Sequence, residues 1–556
     1  MMQEFDYDLQ SIQAARDLAR KGQVAANQIA NYSVEQIDRI LRSMVEVAEK
    51  NAEKLAQMAV EETTFGNVHD KIYKNHMASG LLYEQIKDKK TIGVIDVDEK
   101  NQVITIAEPV GLVMGIVPST NPTSTVLYKS MIALKARNAI VFSPHPKAAK
   151  CTNLAIKLMN DAAVAAGAPE NIIQGISMAT IAATNELMHA PEVKMIIATG
   201  GPGMVKAAYS SGKPALGVGA GNSPSYIERT ANVKQAVHQI VASKTFDNGT
   251  ICASEQSVIC ETCNHDEVVA EFKKQGGYFM SEEECAKVCK ILFRNGHSMS
   301  PNFVGHAALD IAKAAGISVP ADTKILIGEQ HGVGPEWPLS YEKLTTVLAF
   351  YTVADWHEAC DLSIALLQNG IGHTMNIHTE DKEIVRKFSV KPASRILINT
   401  GGTQGGTGLS TGLEVALTLG CGTWGGSSVS ENVGPQHLIN IKRVVNGLVE
   451  PDEVAAVDET FAKWHPELAA QYGCAPHAEG GCGCSESHCE PAHETHDTGI
   501  EMPVGHGTSG ISYSVGCNCC GGQTVTQEDL RHSSDTIDAA ELKKMVNELV
   551  AAFRGE

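Results

Sequence analysis

The window Thr245–Ser257, read TFDNGTICASEQS, puts a cysteine where chemistry could reach it. Cys252 follows a polar, glycine-containing turn and precedes the apolar run Val258–Cys260. A thiol at the mouth of a turn can meet a substrate, whereas one inside an apolar run cannot. Thiolates attack carbonyl carbon readily and leave readily, which suits covalent acyl chemistry. The competing reading is a free core cysteine, the usual state of an intracellular thiol.

Two other stretches carry ligand signals. Met195–Thr199, the turn Gly200-Gly201-Pro202-Gly203 and Met204–Tyr209 read strand, glycine turn, helix. Such a turn brings backbone close to a phosphate at a helix N-terminus. Gly201-x-Gly203 begins the dinucleotide fingerprint, but Lys206 stands at its last glycine, so a turn that only closes a strand–helix unit competes. The glycine runs at 217–221 and 401–408 lack the Lys-Ser/Thr ending of an ATP phosphate loop. Ser143-Pro144-His145-Pro146 ends a strand, where open sheets collect ligands. In the tail, Cys474, Cys482, Cys484, Cys489, Cys517, Cys519 and Cys520 lie among five histidines, a mixture that suits zinc or an iron–sulfur cluster. Their C-x-C and C-x-C-C spacings are not those of zinc ribbons, and a glycine-rich acidic linker is the alternative.

The elements that must position these residues follow from pattern. The 556 residues allow several domains, and 43% hydrophobic content allows large cores. Residues 8–90 read as helices, with Ser33 and Gln36 forming a capping box ahead of Ile37, Ile40, Leu41 and Met44. Thr91–Asp98 and Gln102–Glu108 alternate like a hairpin. From residue 110 strands alternate with helices: strands at 111–118, 139–143, 172–176 and 195–199, helices at 123–137, 148–166 and 181–189. Their apolar, non-alternating strands predict a parallel sheet covered by helices. A second α/β set has strands at 256–260, 324–328, 346–351 and 395–399, with helices at 266–274 and 355–368. Residues 437–445 resume a strand pattern.

Charge excludes some partners. The net charge is −19, which argues against nucleic acid or an anionic membrane surface. Residues 447–556 hold 19 acidic against 5 basic residues, so the tail carries most of it. The acidic N-terminus does not read as a secretory signal, and no window has the apolar length of a membrane span. Fifteen cysteines without such a signal imply thiols or metal ligands in a reducing, cytoplasmic setting.

Several blocks together match one family: IVPSTNPTST (116–125), RNAIVFSPHP (137–146), ATGGPGMVKAAYSSGKPALGVGAGN (198–222), SKTFDNGTICASEQS (243–257), TKILIGE (323–329), EKLTTVLAFY (342–351), GIGHT (370–374) and SSVSENVGPQHLIN (427–440). The sequence closely resembles the CoA-acylating aldehyde dehydrogenases, most of all the aldehyde dehydrogenase half of the bifunctional aldehyde–alcohol dehydrogenases, from about residue 30 to about 445. The resemblance implies an α/β aldehyde dehydrogenase fold. Its parts would be N-terminal helices with a five-stranded parallel-sheet NAD domain (1–242), a catalytic α/β domain (243–426), and a return to the cofactor domain (427–446). The 91–108 hairpin and the 437–445 strand would form an oligomerisation arm, making a homodimer or larger homo-oligomer. No segment matches the alcohol dehydrogenase half, so only the acylating activity is expected.

The resemblance also assigns roles. Cys252 would attack a short aldehyde, the thiohemiacetal would lose hydride to NAD, and CoA would release acyl-CoA from the thioester. Asn121 would supply the oxyanion amide, with the Cys252 N–H as second donor, and His373 would stand near the nucleophile. Glu342 would bind the nicotinamide ribose. Gly200, Gly201 and Gly203 would approach the pyrophosphate, and Ser143 and His145 would lie by the adenine-side ribose. Thr199 and Gly221 complete the cofactor set. The absence of Arg or Lys at 143 and 145 favours NAD over NADP. Hydrolytic relatives place a water-activating glutamate in the block matching Gly217–Asn222, and this chain has no carboxylate there. Without a base, water attacks a thioester slowly and CoA thiolysis wins. Beyond residue 446 the resemblance ends. Residues 447–537 read as an acidic Cys/His-rich linker, with Cys482, Cys484, Cys489, Cys517, Cys519 and Cys520 as metal candidates for Zn or Fe–S. Residues 538–556 read as an amphipathic helix, with Leu542, Met545, Val546, Leu549, Val550 and Phe553 on one stripe. It resembles the encapsulation peptides of bacterial microcompartment enzymes, which would make a shell protein its partner. Docking on the chain's own body is the alternative.

Overall fold

The computed structural model describes residues 6–295, 297–451, 454 and 458–472. Five N-terminal α-helices, the last two joined by the π-helical turn Met77–Leu81, lead into β1 (Gly93–Asp98) and β2 (Val103–Pro109), an antiparallel hairpin with the expected turn. The helix Val34–Lys50 starts at the expected capping box, with Ser33 and Gln36 bonded reciprocally, and buries Ile37, Ile40, Leu41 and Met44.

The first large sheet holds β3 (Leu112–Ile116), β4 (Ala139–Ser143), β5 (Ile173–Gly175), β6 (Val193–Thr199) and β7 (Ala215–Val218). Its order is β5-β4-β3-β6-β7, and all its pairs are parallel. Every residue of β3 and β4 is buried, as apolar runs in a covered parallel sheet require. The helix Pro122–Lys135 is buried on all sides. Its Lys129 ammonium donates to the carbonyls of Ile116 and Ile197 at 2.7 and 2.9 Å, holding together the ends of β3 and β6.

The second large sheet is built from β8 (Ser223–Ile227), β9 (Glu255–Glu261), β10 (Gly277–Met280), β13 (Ile325–Glu329), β14 (Val347–Val353), β15 (Gly372–His378) and β16 (Ala393–Ile398). Between β10 and β13 a two-residue ribbon forms from β11 (Phe293–Arg294) and β12 (Ser298–Met299). The order of the large sheet is β10-β13-β14-β9-β8-β15-β16, again parallel. β17 (Ile439–Val445) returns to the hairpin and completes a three-stranded sheet of order β1-β2-β17.

Two features differ from the sequence pattern. The second sheet begins at β8, with the helix Val233–Thr245 after it, so its first strand lies upstream of the expected boundary at 242. The Gly401–Gly412 loop contains a short helix, Gly402–Gly406. From residue 445 the chain belongs to a separate unit, in which Asp458 caps the helix Glu459–Trp464 and Pro466–Tyr472 follows. The tail cysteines and the 538–556 helix lie outside the described residues. Among those described, no group of three or more His, Cys, Asp or Glu side chains could hold a metal, and no helix is long and apolar enough to cross a membrane.

Candidate active site

The turn before Cys252 is unusual backbone held by buried charge. Helix Val233–Thr245 runs into Phe246–Gly249, where Asp247 and Asn248 adopt left-handed φ values of 48° and 53°. Strain of this kind persists only where the surroundings over-determine it. Here the surroundings are two buried lysines. Asp247 Oδ2 accepts from Lys74 Nζ at 2.5 Å, Lys71 Nζ at 2.9 Å and Thr250 Oγ1 at 2.7 Å. Burial pushes the Asp247 carboxyl up, but Lys74 and Lys71 outweigh it and hold it below its ordinary value. Burial pulls Lys74 down to about 8 despite Asp247, so both partners stay charged at neutral pH.

This cluster orients Asn121. Lys74 Nζ donates to Asn121 Oδ1 at 2.7 Å, and an ammonium only donates, so the carbonyl oxygen faces the lysine. The amide NH₂ then faces the nucleophile loop, where it donates to the Thr250 carbonyl at 3.3 Å. Lys71 holds the adjoining Thr120 carbonyl at 2.9 Å. None of Lys71, Lys74 or Asp247 was foreseen as a site residue. They lie some 175 positions apart in sequence, and buried ion pairs have no local spacing signature.

Cys252 is half-buried at the wall of a cavity of about 510 Å³. Its Sγ lies 3.1 Å from His373 Nε2. Burial, then Glu342 and Cys421, push the thiol up to about 12, with Arg395 opposing. Two glycines grip the backbone around it. A Cβ on Gly221 would lie 1.9 Å from the Cys252 carbonyl oxygen, and one on Gly402 would lie 2.2 Å from that of Ala253. Gly221 is therefore required for packing against the nucleophile. It is not among the residues lining the cavity, whereas its neighbours Gly219 and Ala220 are. Its N–H donates to Glu342 Oε1 at 2.8 Å. Burial pushes Glu342 up to about 7, against that hydrogen bond and the nearby lysines. A carboxylate thus approaches the nucleophile even though the Gly217–Asn222 block has none.

The cavity opens at the C-terminal ends of β3, β4, β6 and β7, where parallel sheets bind ligands. Asn121, Cys252, Glu342, Ser143, His145, Thr199, Gly200 and Gly201 all line it. Gly203 does not; it lies on the helix Pro202–Ser210 behind the turn. A Cβ at Gly200 or Gly201 would meet nothing within 4 Å, so the turn presents bare backbone to the cavity at a helix N-terminus, which fits a phosphate-bearing cofactor. Ser143 is paired with Thr184 at 2.8 Å, and His145 Nδ1 accepts from the Lys147 N–H at 3.1 Å. Burial, helped by Lys147, holds His145 below its usual basicity, so its ring brings no charge. Lys147 lines the same end of the cavity and brings a cation near positions 143 and 145.

His373 does not line the cavity; it sits behind Cys252 with no exposed surface. Its neighbour Arg395 is 4% exposed and bonds the carbonyls of His373 and Gly420 at 3.0 and 2.6 Å. Among the described residues, none of its hydrogen bonds goes to a carboxylate.

A helix-covered dinucleotide-type sheet, a second parallel sheet and a thiol between them define the aldehyde dehydrogenase class. Residues 5–277 match the model of the aldehyde dehydrogenase family. The chain is 39% identical over 432 residues to a succinate-semialdehyde dehydrogenase (acetylating) of Clostridium kluyveri, covering 95% of it and 77% of this chain. The chain belongs to the aldehyde dehydrogenase family. Within it, the likeness is to acetylating members. A solved acetylating aldehyde dehydrogenase from Geobacillus thermoglucosidasius is 51% identical, with a TM-score of 0.79 over 80% of this chain and 99% of that one. The bifunctional aldehyde-alcohol dehydrogenase of Escherichia coli K12 is 48% identical over 434 residues, 77% of this chain and 49% of that protein. The chain thus spans about half the length of the first curated relatives it matches.

Proposed function

We propose that the chain oxidises a short aldehyde, acetaldehyde first among them, to acyl-CoA with NAD, through a thioester on Cys252. The observation that carries this reading is Cys252 at the cavity wall, with His373 Nε2 3.1 Å from its sulfur and the Asn121 amide turned toward its loop. Attack by the thiolate puts negative charge on the aldehyde oxygen, and fixed amide donors stabilise it as it forms. Asn121 is one donor and the Cys252 backbone N–H the other. When bound, the nicotinamide supplies the hydride acceptor. Gly200 and Gly201 would hold its pyrophosphate against bare backbone, and Glu342 would turn from Gly221 to its ribose. The thiol of CoA, its proton lost to solvent, then attacks the thioester carbonyl; as its sulfur–carbon bond forms the bond to Cys252 Sγ breaks, acyl-CoA leaves, and the Cys252 thiolate is restored.

The acetylating relatives support thiolysis as the second half-reaction. A hydrolytic reading is favoured by one observation: Glu342, with its carboxyl pushed up to about 7, stands beside the nucleophile and could activate water. Assaying NADH and products with and without CoA separates the two. Thioester formed only with CoA, and little free acid without it, upholds acylation; equal NADH rates and free acid in both upholds hydrolysis. A homo-oligomer through the β1-β2-β17 sheet belongs to the same proposal. So does a shell partner for residues 538–556, which a fluorescent fusion that stays diffuse in a shell-forming host would reject.

A further inference from the structure

Behind Cys252, three side chains continue one line from its sulfur. Thr374 follows His373 on β15, and Arg395 sits directly opposite Thr374 on β16. Arg395 Nε donates to Thr374 Oγ1 at 3.2 Å. Thr374 Oγ1 lies 2.8 Å from His373 Nδ1, and His373 Nε2 lies 3.1 Å from Cys252 Sγ. His373 and Thr374 have no exposed surface.

The proton count along this line has one satisfactory solution. A guanidinium only donates and keeps its charge at any working pH. Among the described residues, Arg395 and His373 are the two hydrogen-bond neighbours of the Thr374 hydroxyl. Were His373 Nδ1 protonated, both neighbours would donate into that oxygen. The hydroxyl proton would then be buried with no acceptor, the kind of unmade bond that interiors avoid. With the hydroxyl donating to Nδ1, every group is matched. The single proton of the neutral ring is then on Nε2.

We propose that Arg395, acting through Thr374, fixes His373 as the Nε2–H tautomer, so that the ring donates a hydrogen bond to the Cys252 thiolate and does not take the thiol's proton. That proton leaves for solvent through the cavity before attack. Burial and the Arg395 charge hold the imidazole neutral, which keeps the donor from becoming an imidazolium with a second proton. Arg395 and Thr374 are positioning residues, and neither touches substrate. The inference rests on Cys252 being the nucleophile.

The test uses the full chain and Thr374→Val, Thr374→Ser and Cys252→Ser. The alkylation rate of Cys252 by iodoacetamide reads its thiolate fraction across pH. The other groups acting on the thiol, Glu342, Cys421 and Arg395, stay in place in both threonine variants, and Thr374→Ser keeps the hydroxyl that accepts from Arg395 Nε, which Thr374→Val removes. Thr374→Val slows alkylation at neutral pH by about tenfold, the loss expected for a hydrogen bond to a charged group, and moves the profile upward. Thr374→Ser restores both. In parallel, ¹⁵N-histidine NMR of the unmodified protein, with the His373 signal identified by its absence from His373→Gln, shows Nδ1 bare and Nε2 protonated. A protonated Nδ1, or an alkylation profile unmoved in Thr374→Val, overturns the inference. If Thr374→Val does not fold, the NMR result decides alone. If Cys252→Ser still forms thioester, the nucleophile reading falls and takes the inference with it. If Cys252→Ser is inactive and the profile is unmoved, the tautomer alone is refuted.

Discussion

An amide can stabilise an oxyanion only with its NH₂ facing the reacting atoms, and Lys74 is what turns Asn121 that way. Lys74→Met leaves the amide free to flip. It should lower kcat by about tenfold, less than the full loss of an oxyanion donor, with little change in aldehyde KM. Steady-state kinetics beside Asn121→Ala checks this, since the two losses should not multiply if they share one amide. Glu342 works against the nucleophile in a different way. Its charge is the second cause of the raised Cys252 thiol, after burial. Glu342→Gln should therefore shift the alkylation profile of Cys252 to lower pH, and an unmoved or raised midpoint would contradict the placement. Cys252 was legible in sequence because a polar turn beside a cysteine is a local pattern. Asn121, Glu342 and His373 were legible only through resemblance. Lys71, Lys74, Asp247, Thr374 and Arg395 were not, because their partners come from distant segments.

At the scale of elements, the turn Phe246–Gly249 has the most at stake. Asp247→Asn would leave Lys71 and Lys74 buried without their counter-charge, a loss of about 3 kcal/mol or more by the usual measure of a broken buried pair. Denaturant unfolding measures it. The pH dependence has a definite sign. Because the Asp247 carboxyl is held below its ordinary value, its contribution is complete above the unfolded carboxylate range and is lost as pH falls through the lowered value. The asparagine variant should lose less stability than the parent on acidification. Most strands of both large sheets were legible as apolar runs. β7 and β8 were not, because 215–227 is broken by three glycines and a proline that read as turns, and neither was the short edge strand β10. β15 was read as a motif and not a strand, since His373, Thr374, Asn376 and His378 disguise its burial. His373 and Thr374 are tolerated because neighbours bond them in the Arg395–Thr374–His373 line, whereas Asn376 Oδ1 and His378 Nε2 are buried without a hydrogen-bond partner among the described residues.

For the whole molecule, the three-stranded sheet has more apolar surface than one chain needs. Ile441 is 45% exposed on β17 and Val97 is 41% exposed on β1. Exposed apolar residues on a short open sheet are what the proposed contact with another copy would cover. Ile441→Asp should lower the oligomer size in sedimentation velocity, and an unchanged coefficient would remove this sheet from the interface. The two-sheet architecture was legible in the alternation of elements. The point where the second sheet begins was not, because composition does not change between 223 and 245. The grip of Gly221 and Gly402 on the nucleophile loop has a last consequence for anyone wishing to redesign the catalyst. Positions 221 and 402 are closed to any larger residue, since even a methyl would evict the loop. Gly219 borders the same cavity, and a methyl there would touch nothing within 4 Å. Of these three sites, a glutamate installed to bring water to the proposed thioester could enter only at 219.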